Sequence, residues 1–455
     1  MDRGGKFDSS CHFSSMLVSL DNHSRDIQVL INRIHIFQTA GSGAAGTTAI
    51  DPQACPAGPS ARSTPAAPAP DFTLSVASPP LVTTLAAGRG VHPDPNRPDE
   101  HPCIIAAAPN CLLAHFAVAP SIGMCYDDNP RGTHLILVRH FNTADGRTTA
   151  TAQRVPDRVN TIALLNIGSV GLISNDQGAC RIVELQVDIT GIDPSLVWFD
   201  SGSGRGWTWE YVELPFPAEE DLQVRRWLPH GAVSIGSTLW WFDLRWGIIS
   251  CDLSGHPELN PEFLFHRIPE GRALDEATPL MFAWRCITVS QNQLRYVEII
   301  PVGGDDDASQ AATVSLWTLI NGHWVRRYEV SFEEIWNDNS YRATELPRYV
   351  PSLAVVCPSN PDLVYFNLKK HLFGVNVPDH RVVHHDAYYG LVNNSWVEPA
   401  SRNILPWSLP PGLPQKMGSI SDSDNNDIIA ATMEELTEEE RKEYLIAMEH
   451  FKRNS

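Results

Sequence analysis

Few stretches of this chain bring together residue types that do chemistry at a workable spacing. Gly41-Ser42-Gly43-Ala44-Ala45-Gly46 is a literal G-x-G-x-x-G that follows the apolar Ile34-His35-Ile36-Phe37. A dinucleotide site needs a helix after the glycines, whose first N–H groups meet the pyrophosphate. Pro52, Pro56 and Pro59 deny the chain that helix. Ser201-Gly202-Ser203-Gly204-Arg205-Gly206 lies between two strand patterns and reads as a hairpin loop. Asp422-Ser423-Asp424-Asn425-Asn426 opens like a calcium loop, but Asp427 stands where the loop needs glycine and Met433 where it needs a bidentate Glu. Asp305-Asp306-Asp307 reads as a solvated loop tip. His384-His385-Asp386 carries the side chains of a metal site or an acid–base pair. Adjacent side chains on a strand point to opposite faces, so these two histidines do not share one metal, and the expectation is a pair of histidines in a polar loop.

One more pair of groups needs weighing. Leu239 to Leu253 reads as two apolar strands folded back over a turn at Leu244 to Gly247, with Asp243 and Asp252 bracketing the hairpin. A paired-carboxylate site requires the two acids to converge on one pocket. The alternative, which we favour, is that each accepts backbone N–H bonds at a strand end or turn. No G-x-S-x-G elbow, H-E-x-x-H helix, P-loop or C-x-x-C pair occurs. No catalytic residue, metal ligand or cofactor is therefore assigned, and the expectation is a non-enzymatic chain that binds a protein partner. A hydrolase or small-ligand binder assembled from distant loops around a channel is the alternative.

Composition narrows the classes. A formal charge of −19 over 455 residues argues against a nucleic-acid footprint, which needs clustered Lys and Arg. No run approaches the roughly 18 apolar residues of a membrane helix. The N-terminal residues lack the apolar block of a signal peptide, and Asp2, Asp8, Asp21 and Asp26 disfavour a transit peptide. The expected location is intracellular, cytoplasmic or nuclear, with the nine scattered cysteines reduced.

The elements that would position these residues are strands. Residues 1–100 are rich in Ala, Gly, Ser and Pro and are expected to form a disordered extension. From Cys103 onward, alternating or apolar runs are separated by turn residues. Cys103–Ala108 with Cys111–Val118, Val170–Ile173 with Ala179–Val187, and Trp284–Val289 with Leu294–Ile300 each read as a hairpin. Residues 101–418 are expected to be all-β. Residues 419–455 form an acidic tail, ten acids against four bases, with a capping box at Thr437-Glu438-Glu439-Glu440 opening a short helix.

All thirteen tryptophans lie between Trp198 and Trp407, and their setting repeats. The hairpin pattern around Trp198 returns around Trp317, an offset of 119 (198 to 317). The Leu239 hairpin returns at Leu363 to Val377, an offset of 124 (239 to 363). A period near 120 suits two or three blades of roughly 40 to 50 residues, and about five to seven blades in all. The expected fold is a β-propeller-like array of antiparallel hairpins, with a large β-sandwich as the alternative.

The stretch Leu239-Trp240-Trp241-Phe242-Asp243-Leu244-Arg245-Trp246-Gly247-Ile248-Ile249-Ser250-Cys251-Asp252 resembles the signature of the plant domain-of-unknown-function family 1618, expanded in grasses. Ser315–Leu319 with Trp324, and Pro351–Pro358, resemble weaker segments of it. The resemblance is strongest over 239–377. It implies an intracellular plant protein and brings no activity, cofactor or catalytic residue. Trp240, Trp241, Asp243, Trp246, Gly247, Cys251 and Asp252 are the positions it marks, and we read them as structural. The layout is also similar to interaction domains of plant ubiquitin-ligase adaptors, but residues 1–100 carry no Leu-Pro-x-Asp/Glu-Leu-Leu/Val-like F-box opening.

Overall fold

The computed structural model describes residues 33–38, 46–49, 72–76, 83–87, 103–109, 111–117, 133–144, 147–158, 164, 166–175, 178–187, 193–217, 226–254, 261–301, 312–368, 371–387 and 404–407. Four strands come first: β1 (Arg33–Gln38), β2 (Gly46–Ala49), β3 (Phe72–Val76) and β4 (Thr83–Ala87). Five four-stranded meanders follow. The first holds β5 (Cys103–Ala108), β6 (Cys111–Ala117), β7 (Thr133–Ala144) and β8 (Arg147–Arg154). The second holds β9 (Val170–Ser174), β10 (Cys180–Gln186), β11 (Ser195–Asp200) and β12 (Thr208–Tyr211). The third holds β13 (Gly231–Ile235), β14 (Thr238–Asp243), β15 (Gly247–Asp252) and β16 (Phe263–Arg267). The fourth holds β17 (Arg285–Ser290), β18 (Gln293–Pro301), β19 (Ala312–Ile320) and β20 (His323–Ser331). The fifth holds β21 (Ser352–Val356), β22 (Leu363–Leu368), β23 (His371–Asn376) and β24 (Arg381–Ala387). The last strand is β25 (Leu405–Trp407).

The meanders are propeller blades. Their first strands β5, β9, β13, β17 and β21 touch in succession, and β25 touches both β21 and β5. β25 pairs parallel with β1, and β4, β3 and β2 follow, so a five-stranded sheet closes the ring. Radial repetition leaves the inner strands' edges short and sheltered around the axis. These four strands fall within residues 1–100, the stretch expected to be a disordered extension. Composition argued against a self-sufficient core, but strand pairing to β25 recruits the segment into a sheet the rest of the chain completes. The remainder of 1–100 and the helix expected in 419–455 lie outside the described residues.

Blades begin at intervals from 54 (231 to 285) to 67 (103 to 170) residues, longer than the 40 to 50 expected. The offsets of 119 and 124 each span two blades. Trp198 and Trp317 both sit on third strands, and Leu239 and Leu363 both on second strands. The repeat was therefore real, with fewer and larger blades per period.

The core lies between blades. Neighbouring residues on a strand face opposite blades, so Ile182 packs with Leu113 and Leu137 of the first blade while Val183 packs with Trp241 of the third. This explains strands that are apolar at nearly every position instead of alternating: both faces are buried. Among the described residues, three short α-helices occupy connections between blades. These are α1 (Pro279–Trp284), α2 (Phe332–Asn337) and α3 (Asn339–Arg342). A capping box of Ser331 and Glu334 starts α2, which inserts Phe332, Ile335 and Trp336 between the fourth and fifth blades.

Candidate functional site

The seven marked residues surround the β14–β15 hairpin, and the fold spends them on joints. Trp241 is fully buried against the second blade, and its Nε1 donates to Ser169 O at 2.7 Å. Trp240 faces the other way and its ring lies 5.3 Å from that of His266. Trp246 packs among Trp227, Phe216 and Phe265, with ring centroids 5.8, 5.8 and 5.0 Å away. Gly247 is required by that packing, because a Cβ there would stand 2.4 Å from the Phe265 ring. Burial pushes the Cys251 thiol up to about 12, which leaves it protonated and inert at neutral pH.

Asp243 and Asp252 do not converge. Asp243 pairs with Gly247 beside the turn, whereas Asp252 pairs with Thr238 at the far end of the hairpin. Five strand steps separate them, about 17 Å. Asp252 is exposed and accepts Ser237 Oγ at 2.7 Å and Ser254 N at 2.9 Å, bonds that hold its carboxyl below the usual range. Asp243 is fully buried and grips Arg245 side-on, Nε to Oδ1 at 2.9 Å and Nη2 to Oδ2 at 2.5 Å. It also accepts Leu228 N at 3.0 Å, from the segment entering the third blade. Arg245 in turn donates to Arg226 O.

The same device recurs one blade away in each direction. Glu184 on β10 pairs closely with Arg158 and accepts Asn166 N at 3.1 Å. Glu298 on β18 pairs with Arg285 at 2.6 Å and lies 3.7 Å from Arg272. Burial pushes the Glu298 carboxyl up, and Arg285 and then Arg272 draw it back. Register places these groups at one level. Glu184 and Glu298 oppose the first residues of their inner strands, Val170 and Arg285, and Asp243 lies one step past the Phe242–Gly231 pair. Each acid binds the connector that feeds its own blade. A buried acid with a basic partner is thus a fastener between blades; its sequence trace is an acid between apolar residues in the later half of a second strand, as in Val183-Glu184-Leu185 and Val297-Glu298-Ile299. Sequence reasoning missed it at Glu184 and Glu298 because Arg158 and Arg272 lie on distant connectors; at Asp243 the basic partner, Arg245, is in the adjoining turn.

The other candidates separate. His384 meets Tyr365 OH through Nδ1 at 2.8 Å, while His385 meets His371 Nδ1 through Nε2 at 3.2 Å, on opposite faces of the strand β24, where a polar loop was expected. Among the described residues no three His, Cys, Asp or Glu gather as a metal cage. Ser201–Gly206 joins β11 to β12 as a hairpin loop. Gly41–Ala45, Asp305–Asp307 and Asp422–Asp427 lie outside the described residues. One nucleophile–base contact was not foreseen: Ser250 Oγ lies 3.2 Å from His266 Nε2 between the third and fourth blades. Burial lowers the His266 pKa, favouring the neutral ring. Ser250 is only 3% exposed.

The fold defines the class as a β-propeller. Residues 241–365 match the model of a family described as protein of unknown function, DUF1618. No curated protein matches the sequence. Similar solved structures include the WD40 domain of SCAP from fission yeast, at 10% identity over 71% of this chain and 71% of that one, TM-score 0.31. Apo AztD from Citrobacter koseri is similar at 11% identity over 64% and 75%, TM-score 0.26. The polysaccharide lyase Uly1 is similar at 10% identity over 72% and 78%, TM-score 0.33. These likenesses are too distant to transfer an activity. No helix among the described residues is long and apolar enough to cross a membrane.

Proposed function

We propose that this chain is a non-enzymatic protein-interaction module of an intracellular plant protein, cytoplasmic or nuclear, acting through the rim of its propeller. The observation that carries the reading is the position of five of the seven exposed large apolar side chains among the described residues, the others being Ile320 on β19 and Tyr349 in a connector. Trp209 and Tyr211 on β12, Leu264 on β16, Val325 on β20 and Val383 on β24 stand on the outer strands of four successive blades. Meanwhile Asp243, Glu184 and Glu298 are consumed in fastening the blades. Exposed aromatic and branched side chains on a polar background are the composition of a docking surface. The full chain, carrying a photo-crosslinker in turn on β12, β16, β20 and β24, is exposed to plant tissue extract. A partner cross-linked at the rim and displaced by unlabelled chain is expected. Crosslinks absent from all four strands overturn the reading.

The Ser250–His266 contact favours a second reading, a hydrolase or small-ligand binder. Its test is labelling with a fluorophosphonate: modification of Ser250 in the folded chain, abolished in His266→Gln, would establish it over the first.

A further inference from the structure

The rim reading is sharpened by the backbone of β12. Val212 N–H donates to Pro194 O at 2.9 Å, and the register continues as Tyr211 with Ser195, Glu210 with Leu196 and Trp209 with Val197. Antiparallel strands alternate residues whose N–H and C=O face the partner with residues whose groups face away. Val212, Glu210 and Thr208 therefore face β11, and the N–H and C=O of Trp209 and Tyr211 face outward. β12 ends its sheet, and among the described residues no strand pairs with that edge.

The same two residues carry the exposed rings. Trp209 is 45% and Tyr211 67% exposed, their centroids 5.0 Å apart and their planes perpendicular. Both point to one side of the sheet, because they are two positions apart. The outer strands β16, β20 and β24 each expose a single large apolar residue, so among the described residues β12 is the outer strand with adjoining rings and free backbone groups at the same positions. Glu210, between them, points to the other side. It forms no ion pair among the described residues, and exposed Glu213 and Asp193 flank the same end of the strand.

We propose that the edge of β12 takes up an extended peptide of alternating apolar and basic residues as a fifth strand of the second blade. This rests on the interaction-module reading and names the partner's chemistry. Residues of the added strand opposite Trp209 and Tyr211 hydrogen-bond to them and lay apolar side chains on the rings. The residue between, opposite Glu210, directs a Lys or Arg to that carboxylate. A second copy of this chain fits poorly, since antiparallel pairing of β12 about Glu210 would set two Glu210 side chains against each other.

The experiment uses the full chain and a fluorescein-labelled nine-residue peptide of alternating valine and lysine, with binding followed by anisotropy. Comparison peptides replace lysine with glutamate, segregate the same valines and lysines into two blocks, or carry N-methyl groups on the residues that face β12. Saturable binding of the alternating lysine peptide is expected, at least tenfold weaker for the block and N-methylated peptides and for Trp209→Ala. Tyr211→Ala, at the more exposed ring, reads the same contact if Trp209→Ala lowers the melting temperature. Glu210→Lys is expected to reverse the preference toward the glutamate peptide. Equal binding of alternating and block peptides, no effect of N-methylation, or no saturable binding overturns the proposal, as does a dimer in sedimentation that Trp209→Ala dissolves. A cross-linked partner that still binds after Trp209→Ala and Glu210→Lys overturns this strand-addition site while leaving the rim reading in place; absence of rim crosslinks removes that reading itself.

Discussion

The third and fifth blades carry the same hairpin at an offset of 124, and they use it differently. Asp243 and Asp252 of the third blade correspond to Asn367 and Asn376 of the fifth. Asp243 is gripped by Arg245 and by the entering connector. Asn367 is neutral, and its buried Oδ1 has no partner among the described residues. Trp241 reaches across to Ser169 of the preceding blade, whereas Tyr365, its counterpart, bonds His384 within its own sheet. The fifth blade instead joins the fourth through a large apolar cluster, with α2 wedged into it. Both joints pack apolar clusters, but the ion pair of the third blade is buried at Asp243 and Arg245, whereas the one that joins the fourth and fifth blades, Arg327 with Asp362, is partly exposed. The contrast shows that a repeat conserves strand placement and aromatic bulk, while the polar groups at each joint follow the connector that happens to arrive there.

The contrast can be broken most directly at the two aligned polar groups. Asp243→Ala leaves Arg245 buried without its counter-ion and is expected to destabilise the chain by about 3–5 kcal/mol, whereas Asn367→Ala is expected to cost about 1 kcal/mol. Equal losses in urea unfolding would erase the distinction between the joints. Trp241→Ala removes a fully buried ring and is expected to cost about 3–5 kcal/mol. Tyr365→Phe keeps the ring and loses one hydrogen bond, for about 1 kcal/mol.

Next in size are the paired glycines. A Cβ at Gly247 meets the Phe265 ring at 2.4 Å, and one at Gly374 meets Tyr365 at 2.7 Å. Both alanine variants are expected to lose about 1–3 kcal/mol by overpacking, with Gly247→Ala the worse. The reverse order in thermal melts would show that the third blade yields more easily than its packing indicates.

The smallest effect is in pH dependence. Burial depresses both His266 in the third blade and His384 in the fifth below 6.5. A depressed folded-state pKa means that the unfolded chain takes up the proton first, so this stability is present above pH 6.5 and is lost as pH falls through the depressed values. The urea midpoint is expected to drop between pH 7 and pH 5, and to drop less in His266→Gln and His384→Gln. An unchanged slope in both variants would remove these two rings as its source.

Much of the architecture was legible because strand propensity and turn chemistry are local. Val170–Ile173 and Ala179–Val187 around a polar turn could be placed as a hairpin from side-chain type alone. The tryptophan offsets revealed the repeat because equivalent strands meet equivalent environments. The helix α2 was missed although Ser331-Phe332-Glu333-Glu334 has the capping-box form, since its apolar residues also extend the pattern of β20. The fasteners were invisible because Glu184 and Arg158, or Glu298 and Arg272, meet only when a connector crosses the end of a blade.

By itself the sequence determined an acidic, strand-rich chain with repeated aromatic hairpins and no local catalytic motif. Those properties depend on residue type and on spacing within about ten residues. Only the tertiary structure decided that β1 to β4 close the ring with β25, that Asp243 is a buried joint while Asp252 faces solvent, and that Trp209 and Tyr211 offer both rings and free backbone groups. Each of these depends on which distant segment arrives alongside, and that is set by ring closure and burial of both blade faces.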